Sequence, residues 1–284
     1  MTPRAFKGVA SSGNWASVSA LETASGQSLY VPLIRRLTEE FPAWTVWKNA
    51  DAALSGSGDI DSAAPLHDWD AIVRAFRAWA GDVELGPVIE CRHPPKTMFL
   101  IAVDQTHRTF LELDVLGRKY FRGGTLFYAE DLIPLARRDP RGFRVIRPAA
   151  QAIVLWLCNG LRWGGRLNAA DLKNRHVIEL FQQDLGGISE AARCLRLPEG
   201  AVLEAVEHLL HGSWDRASML KIEGSAIFRA LASPGILASR ARFRLWTKRS
   251  CPVLRTVFFA GRSIPEDYDS WLREVRRSHR VYDS

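Results

Sequence analysis

A mixed α/β first half followed by a helical second half is the fold class that the sequence predicts. Three observations carry it. Up to about residue 120 the chain reads helix, strand, helix and then a β-rich hairpin. From Ala149 onward the apolar residues recur at helical spacing. Between the two, Pro140 to Pro148 gathers two prolines, a glycine and three arginines, the composition of a boundary. The organisation expected is a flexible segment over 1–27, an α/β (α+β) domain over 28–147 and an all-α region with a basic C-terminal segment over 148–284.

Each element has a local reason. Ser28 can cap a helix in which Leu29, Leu33, Leu37 and Phe41 share a face, with Pro32 tolerated near its start. Thr45-Val46-Trp47 is a short β-rich run ending at Lys48-Asn49. The small residues of Ala50 to Gly58 then turn the chain into Asp59-Ile60-Asp61. Trp69 to Ala80 is amphipathic through Ile72, Val73, Phe76 and Trp79. Met98 to Val103 and Thr109 to Leu116 are β-rich runs joined by the five residues Asp104 to Arg108, which is a hairpin signal. Helical patterns follow at Ile153 to Trp163, Ala169 to Leu185, Ile188 to Leu195 and Gly200 to Leu210.

Composition excludes several classes. With 47% hydrophobic and 24% charged residues, the chain is neither disordered nor fibrous. Its first 27 residues hold no apolar stretch of the secretory kind. The most apolar run, Ala149 to Cys158, is half of the roughly 20 residues that cross a bilayer, so it reads as a buried helix. Cys91, Cys158, Cys194 and Cys251 lie far apart and form no CxxC pair, which suits reduced thiols in a cytoplasmic protein better than zinc or disulfides. His208 and His211 lack a second ligand pair and read as surface residues.

The sharpest chemical feature is Gly56 to Asp61, GSGDID. In an extended chain Asp59 and Asp61 face one way and Ile60 the other. Phe110 to Val115 repeats the device: Glu112 and Asp114 share one face, Leu111, Leu113 and Val115 the opposite one. Like charges held so close repel unless they share protons or a cation. Oxygen ligands on rigid strands suit Mg²⁺ or Mn²⁺.

This order of features resembles the nucleotidyltransferase superfamily that includes DNA polymerase beta, poly(A) polymerases and CCA-adding enzymes. That family's pattern is a strand, a Gly-Ser turn, roughly ten residues, an Asp-hydrophobic-Asp pair and a third Asp on a later strand. Thr45 to Trp47 matches the strand, Asp59 and Asp61 the pair, and Asp114 the third acid, so the likeness spans about residues 28 to 120. Lys48-Asn49 stands where the family has Gly-Ser, and Gly56-Ser57 lies too near Asp59 for that turn. Ser62-Ala63-Ala64-Pro65 replaces the usual apolar run after the pair. The departures fall on triphosphate binding more than on metal binding.

The resemblance implies a nucleotidyltransferase-like domain with a mixed sheet and two-metal transfer from an NTP to a hydroxyl. Asp59, Asp61 and Asp114 would be catalytic and, with Glu112, would hold metal. Lys48, Asn49, Ser57, Arg118, Lys119 and Arg122 are the candidate nucleotide-binding residues. The alternatives are a catalytically inactive, nucleic-acid-binding regulator of this fold, or nucleotidyl transfer to a small molecule or protein.

Other signals rank below this one. GSG and Gly123-Gly124 continue into neither GK[ST] nor GxGxxG, so P-loop and Rossmann readings fail. A DxD glycosyltransferase would need a longer sugar-nucleotide domain before Asp59. Glu190 to Leu210 has the outline of a helix-turn-helix, but Glu199, Glu204 and Glu207 on its second helix disfavour DNA, and a packing module is expected. Residues 240–284 hold eleven basic and five acidic residues, most of the chain's net charge of +7. Arg240, Arg242, Arg244, Lys248 and Arg249, interleaved with Phe243 and Trp246, are the candidate acceptor contacts, which favours RNA or tRNA.

Overall fold

The computed structural model describes residues 19–48, 50–55, 59–93, 96–106, 109–167, 171–236, 238, 264 and 267–283. Its centre is a mixed eight-stranded sheet in the order β12-β3-β4-β5-β2-β1-β9-β8. The strands are β1 (Thr45–Lys48), β2 (Ile60–Ala63), β3 (Val88–His93), β4 (Thr97–Asp104), β5 (Thr109–Leu116), β8 (Ala136–Arg138), β9 (Arg144–Ile146) and β12 (Arg280–Tyr282). β2 runs antiparallel to β1 and parallel to β5, while β3, β4 and β5 form an antiparallel meander.

The two faces of the sheet are covered differently. α1 (Ser19–Glu40) and α3 (Trp69–Asp82) pack on one face, where Leu33, Leu37, Phe76 and Trp79 meet Ile60, Leu100, Leu113 and Val115 in one apolar cluster. The alternation read from residues 110–115 is therefore realised, with Leu111, Leu113 and Val115 all facing this cluster.

The opposite face has two covers. At one end Ala63, Leu116 and Trp47 join a core built from the hairpin β6 (Arg118–Phe121) and β7 (Gly124–Tyr128) with the helices α4 (Pro148–Leu155), α5 (Asp171–Gln183), α6 (Ile188–Cys194), α7 (Glu199–Leu210) and α8 (Arg216–Leu231). At the other end Ile89, Ile101, Val103 and Phe110 are covered by Trp271 and Val275 of α9 (Tyr268–Ser278). Between the two covers lies a strip of sheet that neither cluster includes.

Three expectations are corrected. The region after residue 148 is not all helical, because β12 pairs with β3 through Arg280↔Glu90, Val281↔Ile89 and Tyr282↔Val88 and so belongs to the sheet. The helix expected over Ile153 to Trp163 is formed only as far as Gly160. After α4 the turns widen over Trp156–Gly160, and β10 (Leu161–Arg162) and β11 (Arg166–Leu167) make a small hairpin whose turn holds Gly164 and Gly165 at positive φ. Ala50–Leu54 is a short helix, α2, rather than a plain turn.

Other expectations hold. α6 and α7 bury Ala191, Ala192, Val202 and Val206 as a packing unit. Arg196, in the turn between them, adopts φ 59 where glycine is common, with its guanidinium fixed on Asp131 at 2.9 Å. His208 and His211 are exposed. Among the described residues no helix is long and apolar enough to cross a membrane.

Two contacts join the helices to the sheet region. Asp184 accepts hydrogen bonds from Arg147 Nε at 2.7 Å, Arg137 at 3.2 Å and the Ala149 backbone at 3.2 Å, which pins the start of α4. Gly124 of β7 lies so close to α8 that a Cβ would collide with the Ala226 carbonyl oxygen. Gly124→Ala should therefore lower stability by about 1–3 kcal/mol. A urea melt of the variant beside the parent protein measures it.

Candidate metal centre

The strip between the two covers carries the acids. Register fixes the arrangement: Asp61 of β2 lies beside Asp114 of β5, and Ile60 beside Leu113. The Ser62 hydroxyl donates to the Asp114 carbonyl at 2.7 Å, and the backbone N–H of Glu112 donates to the Tyr30 hydroxyl at 2.9 Å. These bonds hold the two acidic strands in phase and tie them to α1. Asp59, just before β2, then reaches Glu112 and Asp114, and one carboxylate oxygen from each of the three lies within 4.8 Å of the others.

Burial makes the cluster costly. Asp61, Glu112 and Asp114 are buried, and Asp59 is half-buried. Burial, followed by repulsion from Glu112, Asp61 and Asp59, holds the Asp114 carboxyl well above its ordinary range. A hydrogen bond with the Glu112 side chain acts in the same direction. Asp61 is pushed up to about 6 by burial, with Asp59 adding to the rise and Lys48 opposing it.

Lys48, at the end of β1, places Nζ 2.8 Å from Asp61 Oδ2. Burial works against the Lys48 charge, but Asp61, with Asp59 and Asp114 behind it, raises the ammonium's pKa overall. Beside it Trp47 acts as a floor, with the Lys48 and Lys119 ammonium groups each 4.9 Å from its ring. Lys119 also acts on Asp61. Further along, burial raises the Cys158 thiol against the combined pull of Lys119, Lys48, Arg122 and Lys96. Of these cations, Lys48 and Lys119 act on the acids.

The expected site residues divide into three groups. Asp59, Asp61, Glu112, Asp114, Lys48 and Lys119 come together. Arg118 and Arg122 are engaged elsewhere: Arg118 stacks on Tyr128 at 4.8 Å, and Arg122 pairs with Glu223 at 2.6 Å and lies 4.4 Å from the Trp163 ring. Asn49, Ser57, Arg240, Arg242, Arg244, Lys248 and Arg249 lie outside the described residues. Trp47, whose ring lies beside Lys48 and Lys119, was not expected at the site.

The residues fit a divalent cation. Three hard carboxylate donors converge, and buried Asp114 Oδ1 has no hydrogen-bond partner among the described residues. An acceptor atom left so is costly without a cation or a proton. Comparison with protein-family models, with curated proteins and with solved structures finds no match, so the site stands on its geometry.

Two stability effects follow. Folded Asp61 and Asp114 bind protons that their unfolded forms release, so without divalent cations stability should fall as pH rises from about 4 through 6. Asp114→Asn removes one of the repelling charges and should raise Tm at pH 7.5 in EDTA, by about 2–4 °C per kcal/mol relieved. The same change should abolish the Tm gain that Mn²⁺ gives the parent protein. Thermal melts across pH, with EDTA and with Mn²⁺, read both effects.

Proposed function

We propose that the chain is a nucleotidyltransferase dependent on Mg²⁺ or Mn²⁺, moving a nucleoside monophosphate from an NTP to an acceptor hydroxyl. The observation that carries this reading is the convergence of Asp59, Glu112 and Asp114 from two neighbouring parallel strands, with Asp61 in register beside them. That placement suits the resemblance drawn from residues 45 to 114, and the adjacent cations suit a triphosphate. RNA, including tRNA, is the leading acceptor class because of the basic residues after position 240.

The chemistry that a bound divalent cation supplies here is polarisation of phosphoryl oxygens and acidification of a hydroxyl. Asp59, Glu112 and Asp114 would hold it. Lys48 and Lys119 offset the charge of the triphosphate and orient it. The Asp61 carboxylate, close to 6, is matched to accepting the acceptor's proton near neutral pH. The acceptor oxygen bonds to the α-phosphorus, the bond to the bridging oxygen breaks, and pyrophosphate leaves.

One observation favours a second reading, a non-catalytic nucleic-acid-binding relative. The Lys48 ammonium already neutralises Asp61, at the position where the family carries its Gly-Ser turn. Incubation with Mg²⁺, each labelled NTP and total RNA, protein or small-molecule hydroxyls separates the two. Label transfer by the parent protein should fall at least about 1,000-fold in Asp59→Ala/Asp61→Ala, a loss of about 4 kcal/mol in transition-state stabilisation. Transfer that survives in that variant contradicts the assignment. No transfer to any acceptor, with salt-sensitive RNA binding intact, favours the second reading.

A further inference from the structure

The row of side chains that holds Asp61 and Asp114 does not end at them. Register continues it across the sheet: Lys48 beside Asp61, Asp61 beside Asp114, Asp114 beside Phe99, and Phe99 beside Cys91. Paired residues on neighbouring strands share a face, so these five form one line. Cys91 lies two strand spacings from Asp114, about 10 Å. On one side the next row, Ala63 and Leu116, lies under the helical core; on the other it is Glu112 and Ile101, with Ile101 under α9. Phe99 between them is half-buried, while Asp61, Asp114 and Cys91 are buried.

At the end of this row, on the edge of the sheet, lies a cavity of about 370 Å³ lined from both faces, by Cys91 and His279 on the acid-bearing side and by Glu90 and Arg92 on the other. Cys91 is part of its wall, with the thiol sulfur 3.1 Å from His279 Nε2. The remaining wall is strongly basic: Arg92 from β3, Arg276 and Arg277 from α9, and Arg280 from β12. Glu90 is the one acid lining it, and it is shared by Arg92, Arg280 at 3.8 Å and the Tyr282 hydroxyl at 2.6 Å. Arg92 is further offset by Asp70 at 2.6 Å, and Arg276 by Asp283. Arg277 forms no ion pair among the described residues, and Arg280 keeps most of its side chain in solvent. Two guanidinium groups therefore face the cavity with charge to spare, in the fork geometry that suits phosphate oxygens.

We infer that this arginine-lined cavity is a phosphate-binding subsite at the β3–β12 edge of the sheet, two strands from the acids, that holds a phosphate of the acceptor. The role toward an acceptor rests on the transfer reading above; the capacity to bind phosphate does not. A phosphate of this kind belongs either to a single-stranded RNA backbone or to a free phosphorylated molecule. Both sources present the same oxyanion.

The test is equilibrium binding by the full chain in EDTA, which leaves the acidic cluster without metal. The probes are a labelled unstructured RNA of about 12 nucleotides and inorganic tripolyphosphate. Arg277→Ala/Arg280→Ala should weaken RNA binding at least about tenfold and reduce the slope of log K against log salt by about 1.4, the share of two phosphate contacts on a single strand. Arg277→Lys/Arg280→Lys, which keeps the charge but loses the fork, should keep the parent's salt slope while binding RNA about three- to fivefold more weakly. Loss confined to RNA assigns the subsite to a nucleic-acid backbone, and an equal loss for tripolyphosphate assigns it to a free phosphate group. Unchanged binding of both probes in the alanine variant overturns the subsite, whatever the transfer assay gives. Arginine-dependent binding without any label transfer overturns the catalytic reading alone.

Discussion

Four carboxylates on two adjacent strands, on one face of one sheet, are the constraint around which the fold is arranged. At an effective dielectric constant near 20, two such charges about 4 Å apart repel by roughly 4 kcal/mol. The protein spreads that cost over several devices. Asp114 hydrogen-bonds to Glu112 and stays above its ordinary carboxyl range, and Asp61 faces an ammonium. The backbone is held from behind by apolar side chains that alternate with the acids, so the strands cannot slip without burying charge in the α1–α3 core. An arrangement that stores repulsion in this way gains most from a cation.

The apolar parts of the molecule follow from the same constraint. The acid-bearing face is covered at both ends, by the α4–α8 core and by α9, with the buried acids between the two covers. One row of the sheet connects Lys48 to Cys91 through the acids. Because α9 and β12 return to the sheet edge, the C-terminus builds the basic wall at the end of the row and covers the sheet beside the acids.

What could be read in the sequence is what short-range periodicity encodes. Leu111-Glu112-Leu113-Asp114-Val115 and Asp59-Ile60-Asp61 alternate with period two, which fixed the face of every acid before their meeting was known. Trp69 to Ala80 carries a helical stripe strong enough to stand alone, and α3 spans Trp69–Asp82. The long-range pairings were not legible. β12 is three residues long and finds β3 nearly two hundred residues earlier, with no pattern of its own to announce a strand. Ala50–Leu54 is rich in small residues that serve a turn as readily as a helix. Lys48 was expected as a point charge for phosphate. Its ion pair with Asp61 depends on the β1–β2 register, which a four-residue strand does not declare.

The account depends on one claim, that Asp59, Glu112 and Asp114 hold a metal ion together. The most direct measurement is anomalous diffraction from crystals of the full chain soaked in Mn²⁺. The account predicts an anomalous peak within about 2.2 Å of a carboxylate oxygen from each of the three residues, with the Glu112–Asp114 hydrogen bond broken. A saturating soak that leaves the Glu112–Asp114 hydrogen bond in place, with no peak among the three carboxylates, would contradict it.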